Sequence, residues 1–158
     1  MHRRRLMLLL LLVSVVLLQA PTVPAQEAVA PAAWPEQDLA RFVFERLDIS
    51  SFRNSTGPRR GPGQRLFGDL GVRPSRATET EAISEDGGWH YSVRILGKRD
   101  YNRDGLDEVL ICFSDMALDG GTYNTRQHYV VQLVEGRAIA LAYTQDGDAE
   151  ESGCASSR

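Results

Sequence analysis

Trp89, Tyr91, Val93 and Ile95 alternate with His90, Ser92, Arg94 and Leu96. Successive side chains of a strand point to opposite faces of a sheet, so this run reads as a strand with one apolar face and is incompatible with a helix. The same period recurs downstream. One strand covers Glu108 to Ser114; Tyr129, Val131 and Leu133 mark another; Ile139, Leu141 and Tyr143 mark a fifth. Asp86-Gly87-Gly88 and Glu135-Gly136 are short links of the kind that close hairpins. A weaker strand over Ala77–Ser84 precedes the first link. Short links joining alternating runs predict an antiparallel meander of about five strands with one buried face.

A single helix is expected ahead of the meander. Leu39, Phe42, Val43 and Leu47 form one apolar stripe at helical spacing. Pro35 suits a first helical turn, and Glu36 and Asp38 suit the positive end of the helix dipole. The predicted helix runs from about Glu36 to Asp48 and covers the buried face of the sheet, which gives an α+β fold.

The first residues carry an address rather than part of the fold. Arg3, Arg4 and Arg5 precede an apolar run from Leu6 to Leu18, and Val23-Pro24-Ala25 offers the small residues that a signal peptidase reads. The run is shorter than the roughly 20 residues of a membrane span. Residues 1–25 are therefore expected to be a cleaved secretory signal and 26–34 an extended Ala/Pro-rich leader. A single domain would occupy 35–145, and a polar flexible tail 146–158, with no transmembrane anchor after cleavage. The signal carries three of the 18 basic residues and none of the 21 acidic ones, so cleavage takes the formal charge from −3 to about −6. That sign is opposite to the basic footprint of a nucleic-acid binder. Of the basic residues 17 are arginine and only Lys98 is lysine, which fits a GC-rich bacterial codon bias and hence a periplasmic or secreted destination.

Such a compartment bears on Cys112 and Cys154, the only cysteines. They can form a disulfide that ties the tail to a strand. Alternatively Cys112 is a small buried apolar residue and Cys154 lies in a loose tail. The Gly- and Pro-punctuated segment Ser50–Arg76 holds Arg53, Arg59, Arg60, Arg65, Arg73 and Arg76 against a single acid, Asp69. It reads either as a site for an anion or an acidic partner or as a solvated loop balancing the acidic stretch Glu79–Asp86.

The segment with chemistry in it is Asp100-Tyr-Asn102-Arg-Asp104-Gly105-Leu106-Asp107-Glu108. Oxygen-bearing side chains fall at positions 1, 3, 5 and 9, and a glycine follows the third. Calcium takes six to eight hard oxygen ligands, which Asp100, Asn102, Asp104 and Glu108 with the Leu106 carbonyl and water would supply. The flanks are strands, and position 12 is Ile111, so an EF-hand is excluded. With an acid at position 9, the segment resembles the D-x-[DN]-x-D-G-x-x-[DE] calcium loops of the FG-GAP (integrin-type) repeats. That resemblance covers nine residues and the following strand Val109–Phe113, and it implies calcium ligation but no propeller, because the loop occurs once. Asp107 falls outside the ligand set. The competing reading is a metal-free turn in which Asp100, Asn102 and Asp104 accept from nearby amides while Lys98, Arg99 and Arg103 oppose a cation.

Catalytic candidates are isolated. His90 and His128 lie on strands without a partner placed by sequence, and nothing in the sequence draws Cys112 and His128 together. Asp115, Asp119, Gly120, Gly121 and Thr122 form a polar loop after a strand, able to touch a ligand or to complete the calcium site. No zinc spacing, phosphate loop or nucleophile elbow occurs. Two functions follow: a non-catalytic exported domain that binds a protein, glycan or envelope component, or a small periplasmic hydrolase with a scattered active site.

Overall fold

The structure, a computed structural model, describes residues 33–52, 56–142 and 154. Its main element is one antiparallel sheet of six strands in sequential order. These are β1 (Arg76–Ala77), β2 (Glu81–Asp86), β3 (Trp89–Arg99), β4 (Glu108–Ala117), β5 (Asn124–Val134) and β6 (Arg137–Ala142). Among the described residues one α-helix, α1 (Leu39–Arg46), precedes them, so the fold is α+β with strand predominant.

There are six strands rather than five because the expected strand over residues 77–84 contains a turn. The Thr78 amide donates to the Glu81 carbonyl at 2.7 Å, and Arg76 then pairs with Ile83 and Ala77 with Ala82. The Gly87-Gly88 link and the Glu135-Gly136 link both have positive φ at each residue, the handedness that matches the twist of flanking strands. In β3 the alternation breaks at Leu96. Ile95 pairs with Ile111 but Gly97 with Leu110, so Leu96 is the extra residue of a β-bulge. That explains an apolar residue in the polar phase of the strand.

The helix is shorter than expected at both ends. Asp38 takes a left-handed conformation (φ 55°), its amide donates to Glu79 in the β1–β2 turn, and the first turn contains no acid. Asp38 is thus the cap residue of α1, with no side-chain cap hydrogen bond, and Glu36 lies ahead of the helix. At the other end Leu47 is extended and bridges Ala138, while Asp48 bridges Leu66. Tertiary pairing thus ends the helix before its apolar stripe does. The residues that α1 buries are Ala40, Val43 and Phe44, followed by Leu47. Phe42 lies at the margin, edge-on to Trp34 at 6.2 Å.

Between helix and sheet lies an aromatic core. Phe44 meets Phe67 at 4.8 Å, and Phe52 sits between Phe113 at 4.6 Å and Tyr129 at 4.8 Å. Full burial of such side chains stabilises by about 1.5–3 kcal/mol each. The opposite face is not the bare polar surface expected. Leu110, Cys112 and Val130 are buried there, and Cys154 is bonded to Cys112 with Cα atoms 5.2 Å apart. The disulfide places Cys154 on this face. The expected signal, most of the leader and the rest of the tail lie outside the described residues, as does Tyr143.

Candidate functional site

The Asp100–Asp107 connection joins β3 to β4, where Arg99 pairs with Glu108. Gly105 (φ 88°) and Arg103 (φ 64°) both take left-handed conformations, which fold the loop back on itself. The four side chains singled out by sequence all turn inward. Asp100 Oδ1 accepts from the Arg103 amide at 2.5 Å and the Asp104 amide at 3.2 Å, while its Oδ2 accepts from Gly105 at 3.0 Å. Asn102 Oδ1 accepts from the Asp104 amide, and Asp104 Oδ1 from the Leu106 amide. Glu108 is wholly buried, and its Oε2 accepts from the Tyr101 amide at 2.9 Å. The Asn102 amide group spans Asp104 Oδ2 and Glu108 Oε1 at 2.9 and 3.1 Å.

The side chains at positions 1, 3, 5 and 9 thus all bond within the one loop, with the Asn102 NH2 group between the Asp104 and Glu108 carboxylates. Leu106 is exposed, and so is Asp107, whose carbonyl accepts from the Trp34 indole at 2.7 Å. Arg99 stacks over the Tyr101 ring at 4.6 Å. The donor set is hard oxygen throughout, which suits calcium or magnesium and no softer ion. Yet the carboxylates already accept from amides, and among the described residues no group of three acidic, histidine or cysteine side chains closes tightly enough to grip an ion. Calcium would fit by exchanging Asn102 and Asp104, both exposed, from amide contacts to the ion.

The loop at the other end of β4 cannot complete that site. β4 continues to Ala117, so residues 118–123 lie a whole strand away, roughly 30 Å at 3.3 Å per residue. Asp115 is not in a loop at all. It is a buried strand residue opposite Tyr91, and its Oδ2 accepts from the Gly57 amide at 2.7 Å. Its Oδ1 is buried without a hydrogen-bond partner. Burial pushes its carboxyl above the ordinary value, partly offset by the Gly57 amide and the Tyr123 hydroxyl. Tyr91 is pushed up to about 12, by burial first and then by the nearby Asp115 and Tyr123.

His128 and Cys112 are direct cross-strand partners, contrary to the expectation that nothing unites them. The sulfur is in a disulfide, so no thiol–imidazole pair exists. His90 faces Glu85 at 3.0 Å. It borders a cavity of about 260 Å³ on the second face, lined also by Arg94, Arg126, Ser92, Ser114 and Cys154.

The arginine-rich segment does not assemble one anion site. Arg65 leaves it to pair with Asp48 at 3.0 Å, Arg73 lies near Asp69, Arg76 lines the second-face cavity, and Arg59 and Arg60 are exposed. Arg53 lies outside the described residues. Nor does the segment balance the acidic stretch as a block, since Glu81 pairs with Arg94 of β3. Sequence reasoning missed Asp48, the central anion of that region. Its only signal was position: an acid followed by Ser50 and Ser51, a capping pattern hidden at the presumed helix end. Comparison with protein-family models, curated proteins and solved structures returns no match for this chain.

Proposed function

We propose that the chain is an exported, non-catalytic binding domain, periplasmic or secreted, whose β3–β4 loop is stapled by calcium. The supporting observation is that Asp100, Asn102, Asp104 and Glu108 all bond within one hairpin loop, with Glu108 wholly buried. Asp100, Asn102, Asp104 and Glu108 would hold the ion together with the Leu106 carbonyl, as the integrin-type resemblance implies. The ion would replace amide contacts of the exposed side chains and fix the register of the long β3–β4 hairpin. The pairing of Cys112 with Cys154 is consistent with an oxidising compartment. None of the described helices is long and apolar enough to cross a membrane.

The test is calorimetry and thermal unfolding of chelator-treated, disulfide-intact protein with added calcium. Calcium raises the unfolding temperature of the natural sequence and not that of Asp100→Ala. No shift in the natural sequence, or an equal shift in Asp100→Ala, would overturn the staple.

A further inference from the structure

The second face of the sheet carries a straight row of cross-strand partners: Arg76 of β1, Ile83 of β2, Ser92 of β3, Ser114 of β4 and Arg126 of β5. Directly opposed residues put their side chains on the same face, so an arginine stands at each end of the row and two serines adjoin within it. The arginines are four strand spacings apart, roughly 19 Å. Serine is short where its neighbours are long, and the dip it leaves is the cavity of about 260 Å³ on this face. Ser92 and Ser114 are each 6% exposed, and both line that cavity. Neither hydroxyl forms a hydrogen bond with a described residue. A buried hydroxyl without a partner is costly, and these two open on space rather than on packed chain.

The charge around them is positive. Among the described residues of the lining, Arg76, Arg94 and Arg126 bring three guanidinium groups against one carboxylate, Glu81. Glu81 Oε1 accepts from Arg94 Nε at 3.1 Å and from Nη2 at 2.9 Å, which fixes that guanidinium at the wall. Arg76 makes no ion pair with a described residue. His90 is held by Glu85 and adds nothing to the excess. The whole chain has a formal charge of −3, so this cluster runs against the sign of the protein.

We propose that this trough binds a phosphate group. Guanidinium forks and hydroxyls are donors, and both match anionic oxygens. Phosphate oxygens point in several directions, so one group accepts from the serine floor and the arginine walls together. A carboxylate has only two oxygens, and a neutral ligand leaves the guanidinium charges unanswered. Pockets for drug-sized ligands start at about 300 Å³, so this cavity suits a phosphate with at most a short carbon chain. The assignment rests on the binding-domain reading and gives it a ligand class, but it uses no group of the calcium loop.

The test uses the disulfide-bonded full chain in chelator, so that calcium neither binds the loop nor precipitates the ligand. Inorganic phosphate and glycerol phosphate are titrated to about 20 mM at constant ionic strength, followed by calorimetry and amide NMR shifts. At least one of them saturates and shifts the Ser92 and Ser114 amides. Tighter binding of inorganic phosphate assigns the free ion, and tighter binding of glycerol phosphate assigns an ester. Arg76→Gln and Ser114→Ala each weaken binding about fivefold or more, with the fold intact by circular dichroism. Arg59→Gln, outside the lining, changes nothing. No saturation by either ligand, saturation unchanged in either variant, or acetate binding as tightly as phosphate overturns the proposal and leaves the binding-domain reading open to other ligands. Release of inorganic phosphate from the ester, by contrast, supports the site and overturns the non-catalytic reading.

Discussion

Arg137 Nη1 lies 3.1 Å from Oδ2 of Asp48, a residue 89 positions earlier in the chain. The same oxygen takes Arg65 Nη2 at 3.0 Å, while Oδ1 accepts from the amide and hydroxyl of Ser50. The Asp48 amide, for its part, donates to the Ala138 carbonyl at 2.9 Å. One buried carboxylate therefore joins the end of α1, the 3₁₀ turn at Ile49–Ser51, the arginine-rich segment and β6. Burial opposes its charge, but the Ser50 hydrogen bonds and the two guanidinium groups outweigh it and hold the carboxyl below the ordinary value.

Asp48→Ala removes a capping acceptor and leaves two arginines without their anion. Arg65 is more than half exposed and can return to water, so the cost falls mainly on the cap and on Arg137. The expected loss is about 3 kcal/mol. Urea unfolding with unchanged slope checks it, and a loss under about 1 kcal/mol would place the joint elsewhere.

Asp48 and Asp115 tilt the stability curve in opposite directions. The lowered Asp48 contributes stability that is present above the unfolded value of 3.8 and is lost as pH falls through its folded value below that. The raised Asp115 contributes stability that is complete below 3.8 and is lost as pH rises through its folded value above that. In Asp115→Asn the second slope is absent. The natural sequence therefore gains on the variant as pH is lowered from 7 towards 4 in urea unfolding. A gap that moves the other way excludes a raised Asp115.

The disulfide closes a long loop, with 42 residues of separation between Cys112 and Cys154. Chain-entropy arguments put its contribution at about 4 kcal/mol. Cys154→Ser lowers stability by that order, reductant lowers the natural sequence to the same level, and reductant leaves the variant unchanged. Equal stability of oxidised and reduced natural protein would show that the cross-link restrains nothing in the unfolded chain.

The strands of this fold were legible because alternation is a local property of the pleated chain: segment 89–95 reads directly, and so do the tight links at Gly87-Gly88 and Glu135-Gly136. What escaped was set by contacts between distant segments. The ends of α1 depend on Glu79 meeting Asp38 and on Ala138 meeting Leu47, and neither partner is near in sequence. Thr78-Glu79-Thr80 lacks glycine, proline and asparagine, so the turn that divides β1 from β2 carries little local mark. The Asp100–Glu108 segment was readable as one turn because nine consecutive residues build it, and its internal hydrogen bonds run between near neighbours. The surroundings of Asp115 left no such mark, because Gly57, Tyr91 and Tyr123 reach it from separate segments.

Two substitutions separate what the loop carboxylates do by themselves from what they do with an ion. Glu108 is buried at the base of the loop and accepts from the Tyr101 and Asn102 amides and the Asn102 side chain. Those bonds exist without metal, so Glu108→Gln lowers stability by about 2 kcal/mol in chelator alone, the cost of replacing a charged acceptor by a neutral group with a misplaced donor. Asp104 is exposed, its Oδ1 takes only the Leu106 amide, and its Oδ2 takes side-chain amides of Asn102 and Gln132. Asp104→Asn therefore costs little in chelator, about 0.5 kcal/mol, but loses most of the calcium-induced shift, because one anionic ligand is gone. Asp107→Asn, outside the set, leaves both quantities as they are. A full calcium shift in Asp104→Asn would mean that the ion binds elsewhere, and the loop would then stand as a turn held by its own amides.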